Sequence, residues 1–299
     1  MRSFASVILV FAVSLILAGV LAYPTWLLVA LVDLQPIHRV LHRIAMLLAV
    51  LALYWLFRRW GLLNKQAFGF DLPARNFSWQ LLAGIVSGAL IILPLLVTLQ
   101  ILGVRVEDAR IEVDAALVMK IVATGLATGL FVSLVEEGLF RGLLLTAVER
   151  ESGRITAVLL SSLLYASMHF LDGRLRLPPE QIEWSSGFAV LGRMFIAYSN
   201  PAAIVDSFLA LFAVGVLLSV LRIRTGGIAA CIGLHTAWVC SLYYFEVTTQ
   251  LNPVSAARWM VGSYDGVVGW ATVAWMITMA AVYIAVARTT RSPSATAAS

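Results

Sequence analysis

The stretch LVEEGLFRGLLL, residues 134–145, sets Glu136, Glu137 and Arg141 inside an otherwise apolar run of helical length. Ionisable groups at that depth in a membrane helix are costly, face protein or water, and have a partner or a task. Glu137 and Arg141 stand four apart, on one helical face, and can pair directly. Glu136 points about 100° away from Glu137 around the helix. One ion pair therefore accounts for two charges and leaves Glu136 over.

The chain around this stretch has 299 residues, 61% hydrophobic and only 12% charged. Soluble domains are about 45–50% apolar and about 25% charged, so the composition is that of an all-α polytopic membrane protein. Runs able to cross about 30 Å of hydrocarbon occur eight times, near residues 7–31, 40–57, 79–103, 116–147, 154–171, 203–221, 226–247 and 267–287. The expectation is one bundle of about eight transmembrane helices over residues 1–287, then a disordered polar tail at 288–299. The first run could pass for a signal peptide ending at Ala22, but apolar residues continue through TWLLVALV and favour a retained span. The loop near 172–202 mixes apolar and polar residues and fits an interfacial or re-entrant segment as well as a plain connection.

The net charge of +5 comes from basic residues at the ends of apolar runs, where they set topology, so nucleic acid is not an expected partner. Eight crossings put both termini on one side, together with Arg2, Arg58, Arg59, Lys65, Arg75, Arg150, Arg154, Arg222 and Arg224. The positive-inside rule favours that side as the cytoplasmic one, by a modest margin. Cys231 and Cys240 are separated by about 900° of helical rotation and cannot pair with each other. Gly125 and Gly129, then Gly138 and Gly142, repeat a four-residue spacing that lets helices approach closely.

Two histidines on other runs could meet Glu136: His169 in YASMHF and His235 in CIGLHTAWVC. His38 and His42 begin the second run. A carboxylate among apolar groups can take a proton from water. One histidine can orient that water, and the other can donate toward the oxygen where negative charge develops. No GxSxG or HExxH is present, so neither a serine elbow nor a standard zincin helix is available. No cofactor or metal is expected, with zinc on Glu136, His169 and His235 as the minor alternative.

EEGLFR at 136–141 resembles the EExxxR motif of the CPBP family, the CAAX-protease and bacteriocin-processing intramembrane peptidases. YASMH at 165–169 is similar to that family's second motif, an aromatic residue four before a histidine. The small-residue lead-in to His235 is similar to its third, and the resemblance spans roughly residues 116–247. It implies Glu136 as the residue activating water, His169 coupled to it, His235 stabilising the oxyanion, and Glu137 and Arg141 in support. It also implies endopeptidase action on a membrane-embedded or lipid-modified protein or peptide within the lipid bilayer. The departure is Val239, where the family often has Asn or Asp four residues after the histidine. Valine cannot donate a hydrogen bond, and neither Thr236 nor Ser241 occupies the same helical position. Two other readings fit the same residues: a proton-coupled transporter using Glu136 and the histidines as a relay, and a catalytically idle immunity or binding protein, which Val239 favours.

Overall fold

The computed structural model describes residues 1–289, with side chains described through Val282. Its α-helices are α1 (Arg2–Ala30), α2 (Ile37–Arg59), α3 (Lys65–Phe68), α4 (Ala74–Ile101), α5 (Ala115–Glu137), α6 (Leu145–Ser152), α7 (Arg154–Met168), α8 (Ser186–Met194), α9 (Val205–Thr225), α10 (Ala229–Thr248) and α11 (Trp270–Thr289). Two three-residue strands, β1 (Arg105–Glu107) and β2 (Thr249–Leu251), pair antiparallel with Val106 opposite Gln250. The expected tail at 288–299 lies outside the described residues except for Arg288 and Thr289, which end α11.

A helix stands at each of the eight apolar runs, but five among the described residues are long and apolar enough to cross a membrane: α1, α2, α4, the continuous Ala115–Ser152 and α9. The shortfall from eight has physical reasons. α7 has 15 residues, and at 1.5 Å per residue it falls short of about 30 Å. α10 is diluted by His235, Thr236, Tyr243, Tyr244 and Glu246. The protein is an all-α integral membrane protein with five candidate spans. Leu9 and Leu28 on α1, Leu47 and Trp55 on α2, Leu90 on α4 and Phe131 on α5 are exposed, as side chains facing lipid would be.

α10 tolerates His235 and Thr236 because other helices enclose its first half. Residues Ala229–Trp238 are all buried, with α4 on one side and α5 on the other. The α4–α10 crossing depends on glycine: a Cβ at Gly84 would collide with the Ala230 carbonyl, and one at Gly233 with the Leu81 carbonyl. On the other side a Cβ at Gly129 of α5 would lie 2.8 Å from the Thr236 carbonyl oxygen. The four-residue glycine spacing of α5 is thus a seat for α10. Trp238 Nε1 donates to the Gly88 carbonyl at 3.0 Å and fixes the register.

The expected uninterrupted helix over 116–147 is not regular. Asp114 caps α5 by accepting from Leu117 N at 2.7 Å, and α5 ends at Glu137. Gly138–Leu144 then forms a π-helix that leads into α6. Its wider turn passes around Phe68, whose carbonyl oxygen would be 2.9 Å from a Cβ at Gly142. Segments of this kind are rare and concentrate at functional sites.

One end of the bundle gathers the N-terminus and the α6, α3 and α9 ends: the Met1 ammonium pairs with Glu151 at 2.6 Å, and Arg222 donates to the Gln66 carbonyl at 3.3 Å. The other end carries the strand pair, locked by buried Arg105, whose Nε donates to Thr249 Oγ1 and Nη2 to the Thr249 carbonyl, both at 2.8 Å. The mixed loop after α7 folds in part into α8, which packs on α1 with Gly187 against Gly19. There Ala18, Ala22, Leu41 and Val190 form a second apolar cluster.

Candidate active site

Glu137 and Arg141, at the entrance and the middle of the π-helix, are both completely buried and pair at 3.1 Å. The i,i+4 pairing expected from the sequence is present. Arg141 also lays its guanidinium over the Tyr165 ring, 4.2 Å from the centroid, and Phe140 meets the same ring edge-on at 5.5 Å. A cation over a desolvated aromatic face is attractive by about 2 kcal/mol.

His235 of α10 reaches into this cluster. Its Nδ1 lies 2.9 Å from Glu137 Oε1, and its Nε2 is 4.0 Å from Glu136 Oε2. Glu137, expected only to hold Arg141, therefore bonds a second helix as well. Since the carboxylate accepts, Nδ1 carries the proton and Nε2 is left facing Glu136. The α5–α10 seam continues through Ser133 Oγ and Thr236 Oγ1, 2.9 Å apart, and Thr236 also donates to the Ile232 carbonyl at 2.7 Å. Thr236 is thereby committed and does not replace the donor missing at Val239.

Glu136 is the group left over, as its helical position implied. Its Oε2 is buried and has no hydrogen-bond partner, while the side chain as a whole is 28% exposed. A distance of 4.0 Å to His235 is too long for a direct bond.

His169 stands at the C-terminal end of α7. Its Nδ1 donates to the Tyr165 carbonyl at 2.8 Å, which leaves Nε2 as the free acceptor. Glu136 and His235 are within electrostatic reach of the ring, although the direct coupling to Glu136 expected from the resemblance is not a hydrogen bond here. Tyr165 joins the two histidines, its ring centroid 4.5 Å from that of His169 and 6.5 Å from that of His235.

A cavity of about 1110 Å³ opens onto this cluster. Tyr165, His169, His235 and Val239 form its inner wall, Ile92, Leu95 and Trp275 its apolar side, and Arg39, Arg174 and Asp172 part of its rim. Glu136, 4.0 Å from His235 Nε2, is not itself among the lining residues. The loop ahead of α11 contributes Tyr264, 6.2 Å from the His169 ring, and Asp265. Burial pushes the Asp265 carboxyl above its usual range and the Tyr264 phenol up to about 12. His38 bonds the Leu175 carbonyl at 2.8 Å and ties the rim to α2. Sequence reasoning did not find Tyr264 or the rim, because both lie outside the charged motif and far from it along the chain. Among the described residues no group of three or more His, Cys, Asp or Glu is arranged to hold a metal ion. The zinc alternative on Glu136, His169 and His235 has no such grouping to rest on.

These features define an integral membrane protein with an ionisable centre on an interior cavity. Residues 118–241 match the family model described as Type II CAAX prenyl endopeptidase Rce1-like. The match relates that region to the family over about two-fifths of the chain, and includes Glu136, Glu137, Arg141, His169, His235 and Val239 but not Tyr264 or Asp265. No curated protein and no solved structure matches the chain.

Proposed function

We propose that this protein is an intramembrane endopeptidase that hydrolyses a peptide bond of a membrane-embedded or lipid-modified protein with water activated by Glu136. The observation that carries the reading is the unpartnered, buried Oε2 of Glu136, set 4.0 Å from His235 Nε2. A buried carboxylate oxygen without a partner is costly in a purely structural role. It is what a general base for water requires.

In the proposed reaction Glu136 takes a proton from water as the water oxygen attacks the scissile carbonyl carbon. The electrons of the C=O bond move onto the carbonyl oxygen, and His235, acting as an imidazolium with its Nδ1–H held by Glu137, donates its Nε2–H to it. The tetrahedral intermediate collapses, the C–N bond breaks, and the proton on Glu136 passes to the leaving amine. His169, its tautomer fixed by the Tyr165 carbonyl, offers Nε2 to orient the water. Arg141 is a positioning residue that keeps Glu137 in place. The remaining helices α7, α10 and α11 complete an eight-crossing single bundle in this reading, with both termini cytoplasmic in a bacterial inner membrane. The cavity, at about 1110 Å³, is at the upper end of the usual range for ligand pockets and suits an extended peptide segment, since a helical one hides its carbonyls.

The test is cleavage of a quenched library of apolar and prenylated peptides by purified wild type, His169→Ala and His235→Ala in detergent, with and without a strong chelator. Cleavage by wild type in chelator, lost in both variants, is expected. No cleavage by wild type, or a variant as fast as wild type, overturns the proposal.

A further inference from the structure

The proposed hydrolysis puts negative charge on the carbonyl oxygen, and His235 Nε2 alone is a thin provision for it. Val239, one turn further along α10, lines the same cavity and has nothing to donate. Most other donors around the inner wall are already engaged. Trp238 Nε1 is on the Gly88 carbonyl, Trp275 Nε1 on the Ile91 carbonyl at 2.8 Å, and Thr272 Oγ1 on the Val267 carbonyl at 3.4 Å.

Tyr165 is different. The residue is only 3% exposed, and among the described residues its hydroxyl has no hydrogen-bond partner. It lines the cavity beside both histidines, with ring centroids 4.5 and 6.5 Å away. Glu136, Arg141 and Glu137 all lie within electrostatic reach. Arg141 over its ring face, with Phe140 at its edge, fixes the ring plane. A phenol O–H held in that way is pre-oriented, and with no protein partner it is free to donate to a group that enters the cavity.

We infer that the Tyr165 hydroxyl is a second hydrogen-bond donor to the substrate's carbonyl oxygen, occupying the role that Val239 cannot fill. The inference rests on the peptidase reading above and adds to it a residue that touches the reacting atoms. Tyr54 of α2 is 54% exposed and is not part of the cavity wall. It serves as the internal comparison.

The test uses Tyr165→Phe, which removes one oxygen and keeps every ring contact, beside Tyr54→Phe, Glu136→Gln and wild type, all on one library-derived peptide. Removal of one oxyanion donor costs about 10²–10³-fold in kcat. Tyr165→Phe is expected to lose kcat on that order with KM within a few-fold and unfolding unchanged, while Tyr54→Phe stays within about threefold of wild type. A Tyr165→Phe variant within threefold of wild type, or one whose KM rises at constant kcat, overturns the inference while leaving the peptidase reading intact. So does an equal loss in Tyr54→Phe. Equal cleavage by Glu136→Gln and wild type overturns the peptidase reading, and the inference falls with it.

Discussion

Arg141→Met removes one partner of a fully buried pair and keeps most of the side-chain volume. Glu137 would keep its His235 bond at 2.9 Å but lose the guanidinium at 3.1 Å. Breaking a buried ion pair from one side costs about 3–5 kcal/mol, because an uncompensated charge stays in the interior. The lost stacking on Tyr165 acts in the same direction and belongs to the same cluster, so the two are not additive. The double variant Glu137→Leu/Arg141→Met separates charge from packing. The native pair is incompletely satisfied, with Glu137 Oε2 and Arg141 Nε and Nη2 lacking partners, so an apolar pair in its place should be close to neutral. What remains is the orphaned Nδ1 of buried His235, about 1–3 kcal/mol. The double variant should therefore be more stable than Arg141→Met by about 1–3 kcal/mol and still be inactive, since His235 has lost its anchor. Denaturing-detergent titration of purified protein in mild micelles, followed by tryptophan fluorescence, measures both. An Arg141→Met variant within about 1 kcal/mol of wild type, or a double variant less stable than the single, would refute the reasoning.

Gly233→Val drives a side chain into the Leu81 carbonyl; overpacking costs about 1–3 kcal/mol or more, and the yield of monodisperse protein should fall sharply, whereas Gly153→Ala, with nothing near its Cβ position but a positive φ of 81°, should lose less. The buried Asp265 carboxyl is held above its usual range, so its favourable contribution is full below the unfolded value and is lost as pH rises through the folded one. Asp265→Asn should flatten the pH dependence of unfolding above about pH 4, and an unchanged slope would contradict this. Glu151→Ala removes the exposed N-terminal clamp on Met1 and should leave the unfolding midpoint nearly unchanged, with any difference shrinking at high salt.

The helices were legible because hydropathy runs report burial in lipid directly, and the Glu137–Arg141 pair because i,i+4 spacing is a property of one helix. The other half of the site depends on how helices rotate against one another, which no local pattern encodes. His235 was expected near Glu136, but its Nδ1 rests on Glu137, because Gly84, Gly129 and Gly233 set the depth of α10 and the π-helix sits directly after Glu137. The π-helix left no mark in periodicity, since Gly138–Leu144 reads as an ordinary apolar turn. Tyr165 was visible as the aromatic residue before His169; its free hydroxyl was not. The five candidate spans rather than eight reflect the limit of composition for α10, whose His235 and Thr236 are sheltered by protein.

The most direct test of the central claim is the time course of peptide cleavage by wild type and Glu136→Gln, side by side in proteoliposomes with chelator present. The account predicts product from wild type and none above background from Glu136→Gln, with both proteins unfolding alike. Cleavage by Glu136→Gln at the wild-type rate would contradict it.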